Sequence, residues 1–385
     1  MLKLQIIFIN AWLRRSAWLM LLLPLELVYR FLNYINWLVK TRILSRHSLK
    51  VPLIVVGSIT LGGAGKTPAV ISLAKELTAM GFKVGIISRG YKGNNKQPTE
   101  ISTRSHPNEI GDEPLLIACA TDCPVFIGTD RYLTAKRLLQ SYRVDVIVSD
   151  DGLQHYRLAA DIEVAMLDNV MGLSNRHCLP VGPLREPWHR LKKVDFIVVN
   201  LANENKQEVG EKHNLADLPF NDKKDYNIYT MKKTTRSLIK LSKNNYINLT
   251  QVKEAGNKKV NKAADYSDAA RENREYQIEE WLKLVEGKQV HAIAGIAQPQ
   301  NFFNLLDEQG IEFISHRFPN HHKFSADDLN FGNDGDTKAN KDKIIIMTEK
   351  DAVKCSKFTE LGNLWALRIS YELDASFIKK IVAKL

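Results

Sequence analysis

The turn at residues 57–68, GSITLGGAGKTP, holds the residue types best suited to chemistry in this 385-residue chain. Gly62, Gly63 and Gly65 let backbone N–H groups close on an anion, Lys66 offers a point charge to β- and γ-phosphates, and the Thr67 hydroxyl suits Mg²⁺. Thr60, Leu61 and Ala64 complete a loop that would cradle ATP. The strict G-x-x-x-x-G-K-[ST] pattern is not met, because Thr60 stands where its first glycine belongs, so the loop is a variant. The second group is Asp150-Asp151, which closes an apolar run from Val144 and precedes Gly152-Leu153-Gln154-His155. A carboxylate at the tip of a neighbouring strand is where nucleotide domains hold Mg²⁺, directly or through water. Asp150 goes to the metal, which leaves Asp151 for catalysis or for capping a helix. Asp112 follows a glycine and precedes an apolar helix, a pattern that by itself reads equally as a helix cap. His321-His322, after Pro319, is a paired signal, where a lone histidine would be structural.

These groups need elements to position them. Leu53–Gly57 is all apolar, the mark of a strand buried on both faces, and a helix with apolar residues from Val70 to Met80 follows the glycine-rich turn. Similar runs recur at Lys83–Ser88, Val125–Gly128, Asp145–Asp150, Ile162–Asp168 and Asp195–Asn200. Helical patterns separate several of them, which argues an α/β domain with a largely parallel sheet. Asn200, at a strand end, is placed to meet the base of a nucleotide. Beyond Leu201 the text turns polar and rich in Lys and Asn, and order returns at Gln289–Ile296 and Ile344–Met347, before final helices. The expected organisation is an N-terminal helical segment at 1–45, a P-loop domain at 46–225, and a smaller α/β domain at 226–385 with polar insertions at about 240–280 and 331–343.

Composition narrows the class. Hydrophobic content of 44% and charged content of 25% exclude a wholly disordered or fibrous protein. The four cysteines form no C-x-x-C pair, which excludes a disulfide framework and argues against a zinc knuckle. The net charge of +11 is uneven: residues 1–50 carry eight Lys and Arg against one acid, Glu26. Between those bases lie Leu, Trp, Phe and Tyr, so a membrane surface fits better than nucleic acid. Pro24, Glu26 and Arg30 interrupt the apolar run, and no uncharged stretch reaches the ~18–20 residues of a simple spanning helix. The segment reads as a monotopic anchor on an anionic membrane surface; a tilted spanning helix and a buried soluble helix are the alternatives.

The motifs GSITLGGAGKTP, SRGY (88–91), GDEP (111–114), DDGLQH (150–155), LPVGPLRE (179–186), AGIAQP (294–299), HH (321–322) and TEKDAVK (348–354) occur in an order that resembles the tetraacyldisaccharide 4′-kinase family. The resemblance runs from about residue 5 to the end and weakens in 201–285 and 331–343. It implies an ATP- and Mg²⁺-dependent enzyme at the cytoplasmic face of the bacterial inner membrane, peripheral or monotopic. Its acceptor would be a membrane glycolipid, phosphorylated at the 4′-hydroxyl to give lipid IVA in lipid A biosynthesis. No nucleic acid and no obligate protein partner are expected. The resemblance makes Asp112 the general base and His321 its orienting partner, with Lys66 and Asp151 in the catalytic group. Glu186 would reach Mg²⁺ directly or through water, alongside Thr67 and Asp150. Tyr91, Arg131, His155 and Arg185 would meet phosphates or the acceptor, while the stretch 348–350 has no assigned role. One departure is Asn320, where the family usually carries Asp; Asn orients a histidine without adding charge. The competing reading from the residues is a membrane-recruited P-loop ATPase switch, in which DDGLQH and the histidine pair have no task.

Overall fold

The computed structural model describes residues 2–43, 46–90, 97–101, 107–201, 226–241, 275–296, 299–320, 322–331, 343–361 and 363–385. Two helices, α1 (Leu2–Leu13) and α2 (Leu23–Leu38), are joined by a 3₁₀ turn, and Pro24 sits in the first turn of α2, where its missing N–H costs nothing. The nucleotide half then reads β1 (Leu53–Gly57), α3 (Lys66–Ala79), β2 (Val84–Ser88), β3 (Thr99–Ile101), α4 (Pro107–Ile110), α5 (Asp112–Ala120), β4 (Val125–Ile127), α6 (Arg131–Ser141), β5 (Val146–Asp150), β6 (Ile162–Asp168) and β7 (Phe196–Asn200). The rest comprises β8 (Ile228–Lys240), β9 (Glu275–Gln277), α7 (Ile278–Leu284), β10 (Val290–Ala294), α8 (Pro299–Glu308), β11 (Ile314–Arg317), β12 (Ile344–Thr348), α9 (Glu349–Cys355), β13 (Asn363–Leu373) and α10 (Ala375–Val382).

The strands share one sheet in the order β11-β10-β12-β13-β8-β7-β6-β1-β5-β2-β4-β3, with β9 on β8. From β4 to β8 the pairs are parallel, and so are those from β11 to β13; the two parallel blocks meet at an antiparallel β8–β13 pair. The mostly apolar strands β1, β2, β4, β10 and β12 are flanked on both sides within this sheet and buried along nearly their whole length, as parallel strands covered on both faces must be. Three cores fill the space around it. One spans both blocks, from Ile54 to Ile345 and Phe377; one lies on the opposite face of the nucleotide half, around Leu53 and Ile147; one lies under α7 and α8, around Trp281 and Trp365.

Two expectations need correction. The chain does not close with helices alone: β13 is an 11-residue strand between α9 and α10. Its inward residues Leu364, Trp365, Ala366 and Leu367 give no clean alternation at the start, so length and pairing decide it rather than pattern. The polar text after Leu201 also hides order: β8 crosses from β7 to β13, and Trp281 on α7 is fully buried.

The stretch Ala17–Ile43 is long and apolar enough to cross a membrane by length and composition. Leu21, Leu25, Leu27, Val28, Phe31 and Leu32 are exposed along it. Glu26, by contrast, turns inward and is 2% exposed.

Candidate active site

β1 ends at Gly57, where an added Cβ would meet Leu153 at 2.6 Å, so only glycine lets the loop after β1 pass the loop after β5. The chain then turns through Gly62 and Gly65, at φ +111° and +81°, and enters α3 at Lys66. Positive φ is cheap for glycine and costly for most others, which fixes where the backbone can open its N–H groups. Gly65 also lies directly against Asn200 and Met231. Asn200 thus braces the start of α3, and its side chain is buried there. Thr60 is buried with its hydroxyl 2.8 Å from that of Ser58, and it bridges to Leu184. Leu61 packs toward α1 and Leu179. These two residues shape the loop; Ala64 is buried, Gly62 and Gly63 are exposed, and Gly65, Lys66 and Thr67 are partly exposed.

Lys66 Nζ lies 3.5 Å from Asp151 Oδ1, and Arg185 Nη1 lies 3.4 Å from the same carboxylate. Asp151 occupies the left-handed region at φ +49°, an outlier at the tip of β5 that turns its side chain toward the loop. Burial works to raise its pKa, but the Lys66 and Arg185 cations prevail and hold the carboxyl below its ordinary range. Its neighbour behaves oppositely. Asp150 is 4% exposed, and burial together with Glu113 and Asp151 pushes its pKa up to about 6 against the pull of Lys66 and Arg131. Its Oδ2 accepts from the Ser88 hydroxyl at 3.1 Å, while Oδ1 is buried with no partner. A buried, orphaned carboxylate oxygen at the tip of β5, next to the strand that leads into the loop, is the kind of hard donor that a divalent cation takes, so Asp150 fits Mg²⁺.

The other expected residues are placed as follows. Arg131 is buried and donates to the carbonyls of Gly128 (2.9 Å) and Asp150 (3.1 Å), bracing the tip of β5 from beneath. Burial lowers its pKa to about 10. His155 is half-buried, and burial plus the cations Arg131, Arg89 and Lys40 drop it to about 4, so it is neutral at pH 7. Glu186 is engaged by Gln154 Nε2 at 2.7 Å and by Arg190 at 3.4 Å. Asp112 heads α5 as its first helical residue, with Gly111 as the cap and no side-chain capping bond there. Asp112 thus stands one position past the N-cap. Its Oδ2 lies 4.0 Å from Nζ of Lys354, on α9 of the second block. Beside it, Lys350 pairs with Glu113 at 3.0 Å. Tyr91 and His321 lie outside the described residues. His322 is described, with Nε2 3.1 Å from Asp328 and its ring stacked on Phe318.

Sequence reasoning missed several supports. Gln154 ties Glu186 to the Ser58 carbonyl, and Ser88 holds Asp150. The TEKDAVK stretch gains a role: Asp351 is fully buried and accepts from the Gly295 N–H (3.0 Å) and the Thr348 hydroxyl (2.8 Å), with Lys354 Nζ at 2.6 Å. The signal was present in Asp351 and Lys354, opposite charges three apart in one helix, a spacing that puts them on one face.

A glycine-turned loop after β1, a lysine and hydroxyl at the start of α3, and paired aspartates at the tip of adjacent β5 define a P-loop phosphotransferase. The family described as Tetraacyldisaccharide-1-P 4'-kinase matches residues 18–385. The chain belongs to that family, which makes it an ATP-dependent lipid kinase of lipid A biosynthesis, working with ATP and Mg²⁺ on a glycolipid precursor; the ATPase-switch reading is not favoured. Among similar proteins, the tetraacyldisaccharide 4'-kinase of Methylobacillus flagellatus is 35% identical over 97% of this chain and 94% of its own. That of Legionella pneumophila is 37% identical over 85% of this chain and 81% of its own. A crystal structure of LpxK from Aquifex aeolicus in complex with ATP shares the fold, with a TM-score of 0.67 at 24% identity over 95% of this chain and 99% of that one.

Proposed function

We propose that Lys66, Thr67, Asp150, Asp151 and Arg185 form the site at which the ATP γ-phosphate passes to the 4′-hydroxyl of a tetraacylated glucosamine disaccharide 1-phosphate. The observation that carries this reading is the convergence of Lys66 and Arg185 on Asp151 at 3.4–3.5 Å, at the mouth of the loop. Two cations held by one carboxylate are pre-positioned for phosphate oxygens, which would displace that carboxylate contact in part. Bound Mg²⁺ would supply charge neutralisation at the phosphates; Thr67 and Asp150 would hold it, and Glu186, engaged by Gln154 and Arg190, would act on it through water.

Asp112 is the group proposed to take the acceptor proton. As the 4′-oxygen bonds to phosphorus, its proton moves to the Asp112 carboxylate and the bond to ADP breaks. His321 would orient or relay from Asp112. Arg131 and His155 belong beneath the phosphates, Arg131 as a brace and His155 as a neutral contact; Tyr91 is assigned to the same pocket. The chain is read as two units, 46–225 and 226–385, after the anchor at 1–45, and the antiparallel β8–β13 pair supports a joint there. Placing Asp112 on one unit and its histidine on the other makes chemistry depend on their approach.

The exposed apolar side of α2, flanked by Arg30, Lys40 and Arg42, supports docking on the anionic cytoplasmic leaflet of the inner membrane, with no obligate protein partner. The test is ATP turnover by the purified enzyme in detergent with the glycolipid present. A 4′-phosphorylated product made in step with ADP is expected; ADP formed without acceptor overturns the reading.

A further inference from the structure

Helix α2 has two sides with different tasks. Its outward residues, Leu25, Leu27, Val28, Phe31 and Leu32, are apolar and exposed. Its inward residues, Glu26, Tyr29 and Asn33, follow helical spacing on the opposite side and all meet one segment of the nucleotide half, residues 177–186. Glu26 Oε2 lies 2.7 Å from His177 Nδ1, and Oε1 accepts from the Cys178 N–H at 2.9 Å. At the other end of the segment, the Tyr29 hydroxyl (3.0 Å) and Asn33 Nδ2 (2.9 Å) both donate to the backbone carbonyl of Arg185.

The far side of this segment is bound to the P-loop. Leu61 N–H donates to the Pro183 carbonyl at 2.8 Å, Arg185 N–H donates to the Ile59 carbonyl at 2.6 Å, and Thr60 bridges to Leu184. The segment is therefore clamped between the membrane-facing helix and the phosphate loop, and it delivers the Arg185 guanidinium to Asp151. A residue whose two flanking peptides are fixed from opposite sides cannot turn at its Cα, so its side chain starts from one orientation.

We infer that Tyr29 and Asn33 are positioning residues for phosphoryl transfer: by holding the Arg185 carbonyl they couple the seating of the membrane helix to the aim of Arg185 at the phosphate site. This rests on the reading of Lys66, Asp151 and Arg185 as that site. A helix that served only as an anchor would need apolar residues outward and any packing inward. It would not need two separate donors on one backbone oxygen next to a site arginine.

The test uses the full chain with Tyr29→Phe and Asn33→Leu combined, which keeps ring and bulk and removes both donors. In detergent micelles we expect kcat to fall about tenfold while the KM for glycolipid stays within about twofold, as for a sub-ångström loss of aim. Asn33→Leu alone should give an intermediate kcat, because Tyr29 still donates, and sedimentation with anionic vesicles should be unchanged in both. The outward pair Phe31→Ser with Leu32→Ser should do the reverse, weakening vesicle binding while leaving kcat at saturating micellar substrate unaltered. An unchanged kcat in the double variant overturns the coupling, as does a fall matched by lost vesicle binding or by a rise in glycolipid KM alone. Lys66→Ala separates the two layers: if it is inactive while the double variant is fully active, only the coupling fails, and if it is active, the phosphate-site reading fails with it.

Discussion

Lys66 is half-sheltered at the head of α3 and pairs with a carboxylate that is itself partly exposed, so its removal should barely touch the fold. Lys66→Ala should lose about 10²-fold or more in kcat, the usual cost of deleting an electrostatic stabiliser, with an unchanged melting temperature in the same preparation. Asp112→Asn keeps the size and polarity of the side chain and loses only the proton acceptor. Steady-state rates should show kcat down by about 10²–10⁴-fold with the KM for ATP nearly constant; a near-normal rate would return Asp112 to a structural role. Much of this was legible in the chain, since GGAGKT and the aspartate pair carry their chemistry in residue type. What spacing could not show was occupancy. Thr60 already meets Ser58, and Glu186 already meets Gln154, contacts that only the packing of three loops creates.

Helix α9 joins the two blocks through charge. Lys354 faces Asp112 across the joint and Asp351 within its own helix, and Asp351 is fully buried. Lys354→Met leaves that carboxylate without its counter-charge and should cost about 3–5 kcal/mol in chemical denaturation, whereas Asp351→Asn combined with Lys354→Met should recover most of it. On the neighbouring strand, His291 is 5% exposed and stacks on His316 and Phe331. Burial, with His316 and Lys343 adding, lowers its pKa to about 4. The unfolded chain therefore binds a proton below pH ~6.5 that the folded chain refuses until about pH 4, so stability falls as pH drops through that window. The loss should approach about 3 kcal/mol at its acid end, and a melting series should show a flatter slope for His291→Gln. At this scale the parallel strands were readable because burial on both faces makes them uniformly apolar. β8 and β13 were not: half of each is edge and joint, and Lys232, Lys233, Arg236 and Lys240 along β8 read as loop. Their order comes from pairing with each other, a contact more than 120 residues apart in sequence that no local pattern encodes.

Across the whole molecule, the first 43 residues are tied to the nucleotide half rather than tethered to it. Deleting residues 1–42 should release the enzyme from vesicles and raise the apparent KM for glycolipid. It should also lower kcat in micelles, because the clamp on 177–186 goes with the helix; a truncated enzyme still sedimenting at low salt would place the membrane surface on the second block. The other end of the chain closes the same half, since Phe377 on α10 packs against Phe196 and Tyr229, and Lys384 pairs with Asp195. The Glu26–His177 bond spans 151 positions. At ~5–20 residues per second, the ribosome would make the helix about eight to thirty seconds before the segment that receives its carboxylate. During that interval the apolar side of α2 is already complete while its polar side has no mate. If α2 docks on a bilayer, it can do so before residues 177 and 178 exist, and Glu26 then waits in water until the two partners of its carboxylate emerge.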